Sequence, residues 1–160
     1  MERLERILEH PTYRACLQRI EELEAERIFC GHDMAHFLDV ARLAYIFNLE
    51  EHLGIDRERI YAAALLHDVG RHVQYLDGTP HQEAGLPIAG EILRDCGFSE
   101  GEREDILEAI ARHRDHSVKG EASLAGILYR GDKMSRSCFG CRAREQCNWS
   151  QEKKNLRIRY

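Results

Sequence analysis

A chain of 160 residues is one domain by length and is long enough to bury a core. Its apolar fraction of 43% and charged fraction of 32% are those of a globular protein in water, and no stretch nears the ~20 apolar residues of a membrane span. The net charge of −5 speaks against a broad nucleic-acid surface, and the absence of an apolar signal region near Met1 makes the cytoplasm the expected location, where the six cysteines would be reduced rather than paired.

Helices are predicted throughout. Residues 3–9 and 12–29 have helical periodicity, with Pro11 at the break. Residues 33–53 form a long helix ending at Gly54, and Asp56 caps the helix that carries Ile60 to Asp68. Segment 69–80, with Asp77-Gly78-Thr79-Pro80, reads as a loop or short helix followed by a turn. Helix 81–95 ends near Gly97, and Ser99 with Glu102 forms a capping box for a helix running to His113. Residues 114–120 are a polar loop and 121–135 are helical again. The expectation is an all-α, single-domain bundle of about six or seven helices. Helices within 1–29 pack on a core of 30–136, and 137–160 form a cysteine-containing tail of the same domain. In that tail Trp149 anchors by packing, Leu156, Ile158 and Tyr160 alternate as if extended along the body, and Lys153-Lys154 with Arg157 and Arg159 is a solvated cluster or a contact to the acidic body.

Metal-type side chains fall on the apolar faces of these helices. His36 shares a stripe with Val40, Leu43 and Phe47, and His67 with Ile60 and Ala64. His81 opens a stripe through Gly85, Ile88 and Ile92; His113 follows Ile106, Ala109 and Ile110; Asp132 follows Leu124 and Leu128. Asp68 comes directly after His67 at the end of an apolar run. An ionised carboxylate buried without a partner costs several kcal/mol, and a metal ion removes that cost because Asp oxygen and His nitrogen are ordinary ligands for Zn, Fe or Mn. One inward His is usually a core histidine with a hydrogen-bond partner. Five segments that each turn such a group inward point to a shared centre. His32, one turn before His36, either replaces it or supports it from behind. His81, following Pro80, is alternatively exposed, and His10, His52 and His72 read as surface residues.

The ordered set His36 (His-x-x-x-Val-Ala), His67-Asp68 (Leu-Leu-His-Asp-Val-Gly-Arg) and Asp132 (Ile-Leu-Tyr-Arg-Gly-Asp-Lys-Met-Ser) resembles the HD superfamily of metal-dependent phosphohydrolases over roughly residues 30 to 136. His81 and His113 resemble the two added ligands of its dinuclear branch, which includes small proteins that hydrolyse dinucleoside polyphosphates. The resemblance implies an all-helical fold and hydrolysis at phosphorus. His36, His67, Asp68 and Asp132 would hold one metal, and His81 and His113 a second, with Asp68 bridging. Fe, Mn, Co or Zn suits these ligands better than Ca or Mg, and two cations would acidify a shared water. Asp68 and Arg71 are then the catalytic candidates. Arg71 clamps phosphate or, alternatively, makes a surface ion pair. Lys133, which points elsewhere on its helix, is a weaker phosphate contact, and His116 a substrate contact or proton donor. The substrate would be a small phosphorylated molecule, with a nucleotide as one candidate, and a homo-oligomer is compatible with the chain. A di-iron oxygenase of the same fold and a non-catalytic nucleotide- or redox-sensing module are the competing functions.

Cys138, Cys141 and Cys147 form C-x2-C-x5-C directly after the Asp132 helix. Three thiols at this spacing reach one metal, and a fourth ligand must come from elsewhere: Cys30, Cys16, Cys96 or a His. A structural zinc would staple the tail. An iron–sulfur cluster needs four ligands in most cases. The remaining reading is three small buried apolar residues.

Overall fold

Helix starts are set by side chains that accept an otherwise free backbone N–H. Asp33 accepts from His36, Asp56 from Arg59, Ser123 from Gly126, and Ser99 with Glu102 closes a capping box. The computed structural model describes residues 1–160 as eight α-helices without a strand. In chain order they are α1 (Glu2–Glu9), α2 (Pro11–Glu24), α3 (Met34–Glu50), α4 (Arg57–Leu66), α5 (Arg71–Asp77), α6 (His81–Asp95), α7 (Glu100–Arg112) and α8 (Leu124–Met134). Short 3₁₀ turns lie at His116–Gly120 and Cys138–Gly140. Seven of the helices stand where periodicity places them, and α5 is the short helix of segment 69–80.

Four boundaries differ from the sequence pattern; the first is α8, which starts at Leu124 rather than 121 because the Ser123 side chain accepts the Gly126 N–H. α2 stops at Glu24 rather than continuing to 29, because the Glu24 carboxylate accepts the backbone N–H of His32 (2.9 Å) and turns the chain back. Ile28 and Phe29 are left exposed. α3 ends at Glu50 because the Asn48 side chain exchanges two hydrogen bonds with the Ile55 backbone (3.1 and 2.9 Å). α4 ends at Leu66, so His67-Asp68-Val69-Gly70 form a turn between α4 and α5 instead of a last helical turn.

α3 packs most extensively on α8 and α4, α6 on α7, and α7 on α8. Phe37, Val40, Ile60, Leu66, Ile106, Ile110, Ile127 and Leu128 are fully buried between them. Each such large side chain contributes roughly 1.5–3 kcal/mol. α1 and α2 close one side with Leu4, Ile7, Tyr13 and Ile20. The Tyr13 hydroxyl donates to Leu65 O (3.1 Å), beside the His67-Asp68 turn. Two glycines set close approaches. A Cβ at Gly131 would lie 2.9 Å from Val40 O, so α8 touches the α3 backbone next to His36. A Cβ at Gly70 would lie 2.3 Å from His81 O and 2.6 Å from Gly85 N, so the turn after Asp68 sits directly on the start of α6.

The tail, 137–160, buries only Cys138 and Ala143. Asn155 ties it down, donating from Nδ2 to Lys133 O (2.7 Å) and Arg136 O (3.0 Å) and accepting from Phe139 N (3.0 Å). Trp149 is half-buried. The last residue returns to α3, with Tyr160 edge-on to Phe47 at 5.1 Å. No helix is long and apolar enough to cross a membrane.

Candidate metal centre

The fold brings all six of the predicted metal-type side chains together and buries each of them. His36 Nε2 lies 3.7 Å from Asp68 Oδ2 and 3.5 Å from Asp132 Oδ1. His67 Nε2 lies 3.0 Å from Asp68 Oδ2 and 3.9 Å from Asp132 Oδ1. On the other side of the same carboxylate, His81 Nε2 is 3.1 Å and His113 Nε2 3.8 Å from Asp68 Oδ1. The two oxygens of Asp68 therefore face two different pairs of imidazoles. The groups His36–His67–Asp68 and Asp68–His81–His113 each have donor atoms within 4.8 Å of one another, and Asp68 belongs to both.

The other ring nitrogen of each histidine fixes its tautomer. His67 Nδ1 donates to Ala64 O (2.7 Å), His113 Nδ1 to Ile110 O (2.6 Å) and His81 Nδ1 to Gln74 Oε1 (2.5 Å). His36 Nδ1 donates to Ser135 Oγ (3.2 Å), whose own proton goes to Asp132 O (2.8 Å). All four thus turn an Nε2 lone pair inward, the arrangement in which imidazoles bind metals. Two observations show that a cation fits. His67 Nε2 is a buried polar atom with no hydrogen-bond partner, since its approach to Asp68 lacks hydrogen-bond geometry. His81 and His113 Nε2 stand 3.1 Å apart, lone pair facing lone pair. An orphaned buried polar atom costs about 1–3 kcal/mol, which a cation at that point would offset.

The electrostatics agree. Burial pushes His113 down to about 3 and His36 down to about 4. Burial also lowers His81 and His32. Burial alone would lower His67 too, but the adjacent Asp68 and Asp132 outweigh it and raise this one imidazole. Burial would raise both carboxyls, yet Asp68, facing His67, His36 and His81, stays well below its usual range, as does Asp132 beside Lys133 and His67. In chelator-treated protein, His36 and His113 stay neutral in the fold until about pH 4 and 3, while the unfolded chain takes up those protons below about pH 6.5. Between these limits the unfolded state binds more protons, so stability falls as pH falls. His67 acts in the opposite sense, one imidazole against four, and both carboxylates remain ionised throughout the window. The melting temperature of chelator-treated protein is expected to be several degrees lower at pH 5 than at pH 7.5 by calorimetry. An unchanged or higher value at pH 5 would contradict the neutral, buried imidazoles.

Other predicted residues land around this centre. Arg71 Nε donates to Asp68 Oδ1 (3.0 Å), so its ion pair is with a buried carboxylate rather than at the surface. Lys133 does not point away, contrary to its helix position: Nζ bends back to Asp132 Oδ2 (2.5 Å). His116 is exposed and stacks on Tyr129. His72 is half-buried with Nδ1 bonded to Val69 O, His10 accepts from Thr12 N at the start of α2, and His52 is exposed. His32 is buried; its Nδ1 is held by Glu24 and its Nε2 lies 3.9 Å from Asp68 Oδ2. Sequence reasoning noted His32 but missed Glu24, whose only signal is a carboxylate near the end of α2. Burial would raise Glu24, but the bonds from His32 and Tyr75 bring it down to about 2. Also missed was Arg136, which donates to His36 Nε2 (3.1 Å).

Beside Asp132 and Arg71 lies a cavity of ≈ 320 Å³. Arg27, Arg71, Arg114, Lys133, Arg136, Arg144 and Lys154 line it, with Asp132 as its one carboxylate. Cys30, Cys138, Cys141 and Cys147 share its wall.

Comparison with known proteins gives a consistent picture. A family model described as HD domain matches residues 34–137. A Clostridium beijerinckii protein described as uncharacterized is 44% identical over 160 residues, the full length of both chains. Ribonuclease Y of Oleidesulfovibrio alaskensis is 29% identical over 133 residues, 83% of this chain and 24% of that protein. Ribonuclease Y of Thermus thermophilus is 31% identical over 126 residues, 79% of this chain and 20% of that protein. The chain thus spans a quarter or less of these ribonucleases. The solved structure of a predicted HD superfamily hydrolase from an uncultured Thermotogales bacterium matches with a TM-score of 0.63 and 24% identity, covering 96% of this chain and 87% of that one, a likeness of fold.

Proposed function

Since the chain belongs to the HD domain family, we propose that it is a metal-dependent phosphohydrolase acting on a small phosphorylated molecule, with nucleotides the first class to test. One juxtaposition carries this reading. Two donor groups sharing Asp68 adjoin a cavity lined by seven cationic side chains, in a chain whose net charge is −5. Such a wall favours a substrate with more than one negative charge. Relatives named as ribonucleases act on RNA, a phosphodiester, which agrees with chemistry at phosphorus.

His36, His67, Asp68 and Asp132 would hold one divalent cation (Fe, Mn, Co or Zn), and His81 and His113 a second across Asp68. Bound there, such cations supply an acidified water and polarise phosphoryl oxygens. Asp68 fixes the spacing between the two groups. Ser135 holds the His36 ring, as Ala64 O, Gln74 and Ile110 O hold the others, so the rings are already oriented, and Arg136 would have to release His36 Nε2 for a cation to bind there. Arg71 and Lys133 neutralise Asp68 and Asp132 in the protein alone. With cations held by those carboxylates, the Arg71 guanidinium and Lys133 ammonium would be free to bind phosphoryl oxygens. His116, exposed against Tyr129 and outside the lining of the cavity, would be at most a contact for a remote part of the substrate.

The test is elemental analysis together with turnover of a nucleotide and phosphate-ester panel on one preparation. Phosphate release that depends on added metal and is lost in His67→Ala supports the reading. Oxygen uptake by the iron-loaded protein without phosphate release would replace it with an oxygenase, and nucleotide binding without turnover would replace it with a sensing module. Within the reading, Arg71→Ala is expected to keep the metal content of the parent. Its KM should rise roughly 10- to 100-fold, the worth of one charge-assisted hydrogen bond, with a smaller change in kcat. An Arg71→Ala protein that loses metal would place Arg71 with the support of Asp68 instead.

A further inference from the structure

Four of the six cysteines converge on one place. Cys138, Cys141 and Cys147 arrive from the tail and Cys30 from the loop between α2 and α3, and all four line the ≈ 320 Å³ cavity. Cys30, Cys138 and Cys141 also line the neighbouring cavity. Cys16 and Cys96 are packed in the apolar core, which leaves Cys30 as the fourth thiol of the group. None of the six is in a disulfide.

The tail that carries three of these thiols has little to hold it beyond the Asn155 hydrogen bonds and the Tyr160–Phe47 contact. It buries two small side chains, Cys138 and Ala143, and its only regular element is the turn Cys138–Gly140. Ordering each residue of a chain costs about 1–2 kcal/mol, more than that burial and a few hydrogen bonds offset. A bound group that gathers the thiols would supply the difference. The separation of the sulfurs bears on which kind: no three of them lie within 4.8 Å of one another. A tetrahedral zinc with Zn–S bonds of ~2.3 Å requires sulfurs about 3.8 Å apart. A cluster, whose different irons take different thiolates, keeps them further apart. Arg27, Arg136, Arg144 and Lys154 line the same cavity and would balance the thiolate charge.

We propose that Cys30, Cys138, Cys141 and Cys147 hold an iron–sulfur cluster that fixes the tail beside the His/Asp centre. The proposal shares its cavity and four of the cationic side chains with the reading above, and the sulfide readout keeps the two separable. The test is anaerobic purification followed by assay of iron, zinc and acid-labile sulfide per chain, with visible absorption spectra. Sulfide is the deciding readout, because the His/Asp centre can take iron without it. Sulfide and cluster absorption are expected in the parent, in Cys16→Ser and in His67→Ala, and at background in Cys30→Ser and Cys141→Ser. The last two should also melt at lower temperature. Zinc without sulfide in the parent would overturn the proposal in favour of a single-ion site, and neither metal nor sulfide at the thiols would overturn it in favour of simple packing. Should Cys30→Ser fail to fold, the parent still decides: removal of its sulfide by oxidant must open 137–160 to protease, and an unchanged digestion pattern would refute the structural role.

Discussion

Asp68→Ala is expected to lose bound metal and activity together. Asp68 is buried, belongs to both donor groups, and offers one oxygen to each pair of imidazoles. Without it, the second group is reduced to His81 and His113, and the first loses the carboxylate nearest His67. A residue that merely supports a ligand from behind is typically worth about 10- to 100-fold in metal affinity or activity. A carboxylate shared by both groups should therefore exceed about 100-fold in each. Elemental analysis of the folded protein, checked by circular dichroism, and turnover on the best substrate measure the two losses. A metal-loaded, active Asp68→Ala protein would move the centre of the site elsewhere.

Gly70→Ala should act on the same centre through the backbone. The added methyl would lie 2.3 Å from His81 O and 2.6 Å from Gly85 N. These are backbone atoms of the first turns of α6 and cannot rotate aside. Gly85 faces the contact without a Cβ of its own, so neither partner has room to yield. α6 must shift, and His81 Nε2 moves with it away from Asp68 Oδ1, now 3.1 Å distant. Overpacking of this kind costs about 1–3 kcal/mol, and each kcal/mol lowers the melting temperature of a domain this size by ~2–4 °C. Metal titration should show the His81–His113 group losing affinity before the His36–His67 group does. Gly101→Ala, where nothing lies within 4 Å of the added methyl, is the control and should melt like the parent. Equal melting of Gly70→Ala and Gly101→Ala would mean that the turn and α6 are not held in contact.

Periodicity made the bundle and five of the six inward side chains legible, because both depend on local geometry: which face of a helix is apolar and what shares it; Asp68 was legible only as the neighbour of His67. His36 with Val40 and Phe47, or His113 with Ile106 and Ile110, needs no tertiary information. The residues that were misjudged all depend on contacts between elements. Helical spacing runs on past Glu24, and only its bond to His32 shows why α2 stops there. Helical spacing turns Lys133 away from Asp132, but its long flexible side chain brings the ammonium back to that carboxylate. Gly70 looks like an ordinary turn residue until α6 is laid against it. Among the cysteines, the spacing in the tail identifies three. Choosing Cys30 over Cys16 and Cys96 requires knowing which thiols the core has already taken.

The centre draws on α3, the turn after α4, α6, the end of α7 and α8. Its donor atoms meet only once those five pieces have been assembled, so a cation bound there would enter a finished cage rather than guide its construction. In kinetic language, the interactions a cation would make there would form late, after the transition state for folding. They leave the rate of folding nearly untouched and act on the rate of unfolding. Metal supply would then govern how long a molecule survives rather than how quickly it forms: a chain made without the cation would fold at the usual rate and unfold sooner.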